Sequence, residues 1–314
     1  MKRTNIGGQA VMEGVMMKNL EAYAVAVRKP DKTIEVQKGE YKSLQDRYAI
    51  CRLPIIRGVV TFGESLYIGM KTLTWSADFF EDEEDYKPGK VEAFLTRILG
   101  DKLETVMIGL TMAVSVVLAV AVFMLLPFYL SHLLKNVIPS YTIRTLIEGL
   151  IRVLIFFLYL ILITKMEDIN RVFMYHGAEH KTINCLEEGE DLTPDNIIRH
   201  SRLHRRCGTS FMLIVMIVSI VVFMFIRTDS LVWRFLLRIL LVPVVAGIAY
   251  EFIRFAARSR SKLALALSKP GMYLQYFTTR EPDRDMVEVA IAAVEGVFDW
   301  RAYLEAMRKG ELED

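Results

Sequence analysis

Four of the five histidines in this chain fall between positions 176 and 204, as two H-x-x-x-H pairs, His176/His180 and His200/His204. A four-residue spacing puts both imidazoles of a pair on one helix face, where two nitrogens can reach one metal ion. The first pair reads H-x-x-E-H, with Glu179 inside it. That is the inverted zinc-hydrolase pattern, in which two histidines hold the metal and the adjacent glutamate handles protons. A catalytic zinc takes three protein ligands and keeps a position open. The third ligand is expected to be His204 or Cys207, with Glu179 as the base that activates water and His200 as a ligand of a second metal or a donor behind the first. The expected cofactor is a divalent metal, zinc by ligand type.

Two isolated carboxylates are further candidates. Glu251 closes an apolar segment, and a carboxylate at membrane depth is costly unless it is paired, either to a metal or to Arg254 three residues on. Glu13 sits alone in the glycine-punctuated run 7–17. It reads first as a turn residue accepting hydrogen bonds and second as a ligand. The non-metal alternatives for the histidines are a polar network with Ser201, Tyr175 and Glu179 that ties two helices together, or a proton sensor. One cation satisfies several buried imidazoles at once, which favours metal.

The elements that position these residues follow from periodicity. On a helix that extends the apolar segment 145–166, Ile169, Val172, Phe173, His176, His180 and Ile183 share one face, so the histidines continue an apolar stripe and point inward. Thr193 and Pro194 form a helix start, after which Ile197, His200, His204 and Cys207 recur along one face. A helical hairpin over 167–207 is the expectation, turning near Gly189.

Apolar residues make up 53% of the 314 residues and charged ones 24%, segregated into blocks. The fold class expected is mainly α, a polytopic membrane protein with about four spans, an interfacial or re-entrant helix and a small N-terminal β-containing module. Thr105 to Leu134 is thirty residues without a formal charge, long enough to cross a bilayer even if Pro127 kinks it. It is the core of a first span over 91–134 with its lead-in. The others are 145–166, carrying Glu148 and Arg152 one turn apart, 208–227, and 231–257, with arginines at both ends. Lys/Arg residues concentrate in 167–206 and in both terminal regions, which puts the termini and the histidine segment on the cytoplasmic side. Cys51, Cys185 and Cys207 would then face a reducing compartment or the membrane. A net charge of +2 says nothing about nucleic acid, but no basic aromatic motif appears and no nucleic-acid partner is expected.

Within 1–52, residues 22–28 and 33–37 alternate around Pro30 and Asp31 as a β-hairpin. In 53–90, Arg57, Glu64, Lys71 and Asp78 recur every seven residues, a narrow polar stripe suited to a membrane interface or a polar cavity. The acidic stretch 81–85 and Pro88-Gly89 read as a linker. In 258–314 a break is expected at Pro270-Gly271, then an amphipathic helix over 285–308 whose face carries Met286, Val289, Ala290, Ala293, Val294, Val297 and Phe298.

The runs 7–17 (GGQAVMEGVMM), 53–60 (LPIIRGVV), 175–182 (YHGAEHKT) and 204–211 (HRRCGTSF) resemble the YqhQ family of bacterial membrane proteins along nearly the whole chain. The resemblance implies a bacterial inner-membrane protein of a family described as a predicted metal-dependent enzyme. Its motif positions fall on His176, Glu179, His180, His204 and Cys207, with Glu13 and Arg57 as motif members of unassigned role. Two functions are therefore carried forward. One is a membrane metal-dependent hydrolase, peptidase-like, taking a peptide, protein or lipid-linked substrate at the cytoplasmic face. The other is a non-enzymatic biogenesis, peptide-handling or transport factor whose histidines are structural. Membrane lipid is the expected partner in both, and a homo-oligomer is compatible with either.

Overall fold

The computed structural model describes residues 4–80, 103–228, 230–258 and 262–311. The acidic stretch 81–85, Pro88-Gly89 and the lead-in 91–102 lie outside the described residues. The chain forms two compact units, one drawn from 1–80, 159–219 and 238–314, the other from 81–158 and 220–237.

In the first unit four strands form an antiparallel meander in the order β1 (Ile6–Val11), β2 (Gly14–Asn19), β3 (Ala22–Arg28), β4 (Ile34–Glu40). The expected hairpin is β3–β4, in register from Ala22↔Glu40 to Arg28↔Ile34. The run 7–17, which carries no clear strand alternation, supplies β1 and β2. Its apolar continuity has a physical cause, because the sheet is covered on both faces. Val15, Met17 and Ala26 pack with Tyr175, Ala178 and Met286 on one side. Met16, Val25 and Val27 pack with Ile68 on the other.

Ile68 belongs to α2 (Ile56–Ala77), a single 22-residue helix that follows the short α1 (Leu44–Arg47). Three of the four residues of its polar stripe are paired. Arg57 Nε donates to Glu251 Oε1 at 2.5 Å, Glu64 accepts from Ser43 Oγ at 3.0 Å and Leu44 N at 2.7 Å, and Lys71 Nζ donates to the Tyr23 hydroxyl at 3.1 Å. Asp78 caps the helix end and is exposed. Phe62, Leu66, Tyr67, Met70 and Leu73 on the same helix are exposed.

Three described helical segments are long and apolar enough to cross a membrane: Val106–Asn136, Tyr141–Ile163 and Val232–Ala256. The first runs through α3 (Leu103–Val120), a five-residue π turn at Ala121–Leu125 and α4 (Leu126–Leu133). Pro127 has no N–H to give the Phe123 carbonyl, and Arg152 from α5 (Tyr141–Ile163) supplies it instead, Nε to O at 3.0 Å. Arg152 also pairs with Glu148 at 2.9 Å, so the two charges of this segment satisfy each other in the bundle interior. On its other side Leu150, Leu154 and Leu158 are exposed, the surface lipid contact requires.

Four expectations are corrected. The histidine helix does not extend from α5: Met166 is extended, and α6 (Glu167–Glu188) starts anew and ends at Gly189, whose φ of 85° makes the left-handed cap. The helix begun by Thr193, whose side chain accepts from Asn196 N, is only α7 (Pro194–Arg199). Residues 200–207 are not helical, so His200 and His204 do not form an i,i+4 pair. α10 (Lys262–Thr278) continues through Pro270 without the expected break. The amphipathic helix of 285–308 is two helices, α11 (Arg284–Val297) and α12 (Trp300–Lys309), the second started by Asp299 accepting from Ala302 N. The uncharged run after Cys207 forms α8 (Gly208–Met224), shorter than the three spanning segments, and α9 (Leu231–Arg258) carries the last of them.

Candidate functional site

α6 is a helix of mostly polar residues whose last twelve positions but one are buried, Glu188 being the exception. Such burial is tolerable only if each polar group finds a partner. They do so in register along the helix. In its first half Arg171 makes a bidentate pair with Glu13, Nη2 to Oε2 at 2.5 Å, and Tyr175 Oη reaches the same carboxylate at 3.3 Å. Burial together with the Glu13 charge pushes the Tyr175 phenol above its ordinary value. Glu13 occupies the β1–β2 turn with φ of 47°. It is a turn residue, as its first reading has it, and lies outside the histidine cluster.

One turn on, His176 Nδ1 lies 2.8 Å from the Thr278 carbonyl and His180 Nδ1 lies 2.6 Å from the Arg202 carbonyl. A carbonyl only accepts, so each Nδ1 carries a proton, and in the neutral ring the lone pair is then on Nε2. His176 Nε2 is 3.2 Å from Cys207 Sγ, and the two imidazoles meet edge to face with centroids 4.4 Å apart. One donor atom from each of His176, His180 and Cys207 lies within 4.8 Å of the others. This is a donor set able to hold a metal.

Glu179 faces the same space, Oε2 standing 3.9 Å from His176 Nε2. Its carboxyl is held above the usual carboxylate range by burial, opposed in part by His176 and the Gly8 amide. Gly8 on β1 is required there: a Cβ would come 2.8 Å from Glu179 Cγ. Gly177 has a comparable role, since a Cβ on it would lie 1.9 Å from the Arg280 carbonyl, whose residue donates N–H to Phe173 O at 2.8 Å. The glycines of both motifs thus bring the first strand and the end of the 262–280 segment against the histidine helix.

The non-helical 200–207 loop is held by side chains in place of helical bonds. Lys181 Nζ donates to the Ile198 and His200 carbonyls at 2.7 and 2.8 Å. Asn184 Nδ2 donates to Ser201 O and Leu203 O, and Gln275 exchanges bonds with both His204 N and His204 O. These anchors carry Cys207 to His176. Lys181, Asn184 and Gln275 go unremarked in the sequence reading. Their one sequence trace is the position of Lys181 and Asn184 on a helix that has little exposed surface.

His204 lies beside this cluster, its ring centroid 5.6 Å from that of His180, but its donor atoms are outside the group. Its Nε2 stands 3.8 Å from Glu187 Oε2, and burial depresses its basicity. Glu187 also accepts from Thr4 N at 2.9 Å, Thr4 Oγ1 at 3.0 Å and Arg206. Burial pushes this carboxyl up, but His204, Arg206 and the Thr4 amide outweigh it and hold it at about 2. His200 lies apart, next to Cys185 and Glu190. Glu251 is paired to Arg57, not to Arg254, where Gly58 approaches Gly247 closely enough that a Cβ would lie 2.9 Å from its Cα. Of the sequence candidates the structure therefore gathers His176, His180, Cys207 and Glu179, leaves His204 beside them with no donor atom in the group, and separates His200, Glu13, Glu251 and the polar stripe.

Residues 53–300 match the family described as "Protein of unknown function (DUF1385)". The uncharacterized protein YqhQ of Bacillus subtilis (strain 168) is 34% identical over 309 residues, which cover 96% of this chain and 95% of the relative. No solved structure matches. A match across most of the chain that takes in the H-x-x-E-H helix, the Cys207 loop and the Arg57 crossing places this protein in the DUF1385 family, which it shares with YqhQ.

Proposed function

We propose that His176, His180 and Cys207 hold a divalent metal, zinc by donor type, and that the chain is a metal-dependent hydrolase of the bacterial inner membrane, peptidase-like, working at the cytoplasmic face. The observation that carries this is the pair of Nδ1–H bonds to the Thr278 and Arg202 carbonyls. Metal-ligating histidines characteristically donate their other nitrogen to a carbonyl or carboxylate, which fixes ring and tautomer and aims the lone pair. Cys207 supplies the third ligand, and water or substrate takes the fourth position. Glu179 is the base: it is within reach of that position, and its raised proton affinity moves it toward the range a general base needs. The Lys/Arg bias of 167–206 supports a cytoplasmic site. Three spanning segments plus α8 as a fourth keep both termini on that side.

One observation favours the alternative, a non-enzymatic biogenesis, peptide-handling or transport factor with a closed structural centre. His180 is 1% exposed, Glu179 4% and Cys207 7%, a sealed setting for a reacting substrate. The two readings separate on whether the metal has an open position. Co²⁺-loaded protein in detergent, titrated with acetohydroxamate, should show shifted d–d bands if it does. Bound Co²⁺ that ignores the hydroxamate would refute the hydrolase and favour the closed centre.

A further inference from the structure

His200 stands out because its side chain is 7% exposed while Nε2 has no hydrogen-bond partner. An unpaired buried nitrogen is costly unless a further ligand satisfies it. Glu190 Oε2 lies 3.4 Å from Nε2 but is not aligned to hydrogen-bond with it. The other ring nitrogen, Nδ1, stands 3.4 Å from Glu188 Oε2. Buried Cys185 completes the group: one donor atom from each of Cys185, Glu190 and His200 lies within 4.8 Å of the others.

We infer that Cys185, Glu190 and His200 form a second divalent-metal site, with Glu188 orienting the imidazole from behind. Thiolate, imidazole and carboxylate are the donors zinc takes. Two donors each about 2.1 Å from a tetrahedral ion lie about 3.4 Å apart, the separation of His200 Nε2 and Glu190 Oε2. The carboxylate–histidine–metal relay matches that expected around such ions. Two competing roles are weaker. Glu190 also faces Arg199 at 3.7 Å, but that arginine is 70% exposed and screened by solvent. The Cys185 thiol makes weak hydrogen bonds to the Glu190 and Asp191 carbonyls, at 3.8 and 3.7 Å. Burial and the neighbouring carboxylates push it up to about 12, so without a cation it is neither a reactive thiol nor a charged partner.

The location gives the site a purpose. Cys185 is in the last turn of α6, Glu190 follows its Gly189 cap, and His200 caps α7 at the start of the loop that delivers Cys207. A metal here ties the end of α6 to the far end of α7. It is structural, and it shares no residue with the His176 cluster.

The test is zinc content of the purified full-length protein in detergent, by elemental analysis, for wild type, His200→Gln and Cys185→Ala. Each variant should lose one equivalent per chain relative to wild type, and Co²⁺ loading should lose one sulfur-to-cobalt charge-transfer contribution in Cys185→Ala. That difference stands whatever happens to the first cluster, whose own loss is read in His176→Ala. His200→Gln and Cys185→Ala retaining wild-type zinc would overturn the second site. Loss of the first equivalent as well, in variants that elute as folded protein, would also overturn it, by showing one shared centre.

Discussion

Replacing Glu187 by glutamine separates the two roles open to His204. The Glu187 side chain is 5% exposed and accepts from the Thr4 amide and hydroxyl and from Arg206, with His204 3.8 Å away. Its carboxyl is held at about 2 against an ordinary 4.5. At about 1.4 kcal/mol per tenfold change in proton affinity, that corresponds to about 3 kcal/mol of folding stability. Because the folded value lies below the unfolded one, this stability is fully present above about pH 4.5 and is lost as the pH falls toward 2. Glutamine keeps the shape but presents a neutral amide to Arg206. Glu187→Gln should therefore lower stability at pH 7 by about 2–3 kcal/mol, the range for hydrogen bonds to charged groups. It should also flatten the acid limb between pH 4.5 and 2. His204, whose proton affinity burial lowers, adds a separate loss as pH falls below 6.5, and the variant keeps that part. Urea unfolding in detergent, followed through buried Trp300, reads the unit that holds the site. Metal content should be unchanged, since neither Glu187 nor His204 lies in the donor group. Equal midpoints at pH 7, or an intact acid limb in the variant, would refute the reasoning.

Other expectations follow from the same contacts. Gly177→Ala drives a Cβ to 1.9 Å from the Arg280 carbonyl, a backbone atom that cannot swing away, and should cost about 3 kcal/mol or more in the same urea assay. Lys181→Met leaves the Ile198 and His200 carbonyls without their donor. It should cost about 2 kcal/mol or more and speed amide exchange across 198–204, whereas unchanged exchange would show the loop is held otherwise. Arg152→Met removes the donor that Glu148 and the Phe123 carbonyl share. A fall of about 3 kcal/mol in the stability of the second unit is expected, read by Trp233 fluorescence.

How much of this was legible in the residues differs by element. The spans were readable because apolar length is all a bilayer asks of a helix, and Glu148 with Arg152, one turn apart, were spaced to pair. β1 and β2 were hidden because Val15, Met16 and Met17 are buried on alternate faces of a sheet covered on both, which erases alternation. The His176–Glu179–His180 face survived from spacing to structure, since a helix fixes it. The second pair did not. Its 200/204 spacing is identical in a helix and in a loop, and what decides between them is a set of long-range donors, Lys181, Asn184 and Gln275, that no local pattern reveals. Glu251 misled for a similar reason: its partner Arg57 lies 194 residues away, while Arg254 is the obvious local choice.

The central claim is that His176, His180 and Cys207 hold a metal. The most direct measurement is the metal content of the wild-type protein, purified without chelator, compared with His176→Ala/His180→Ala. The account expects stoichiometric zinc in the wild type and one equivalent fewer per chain in the double variant. Metal-free wild-type protein, or a double variant that keeps the full wild-type complement, would contradict it.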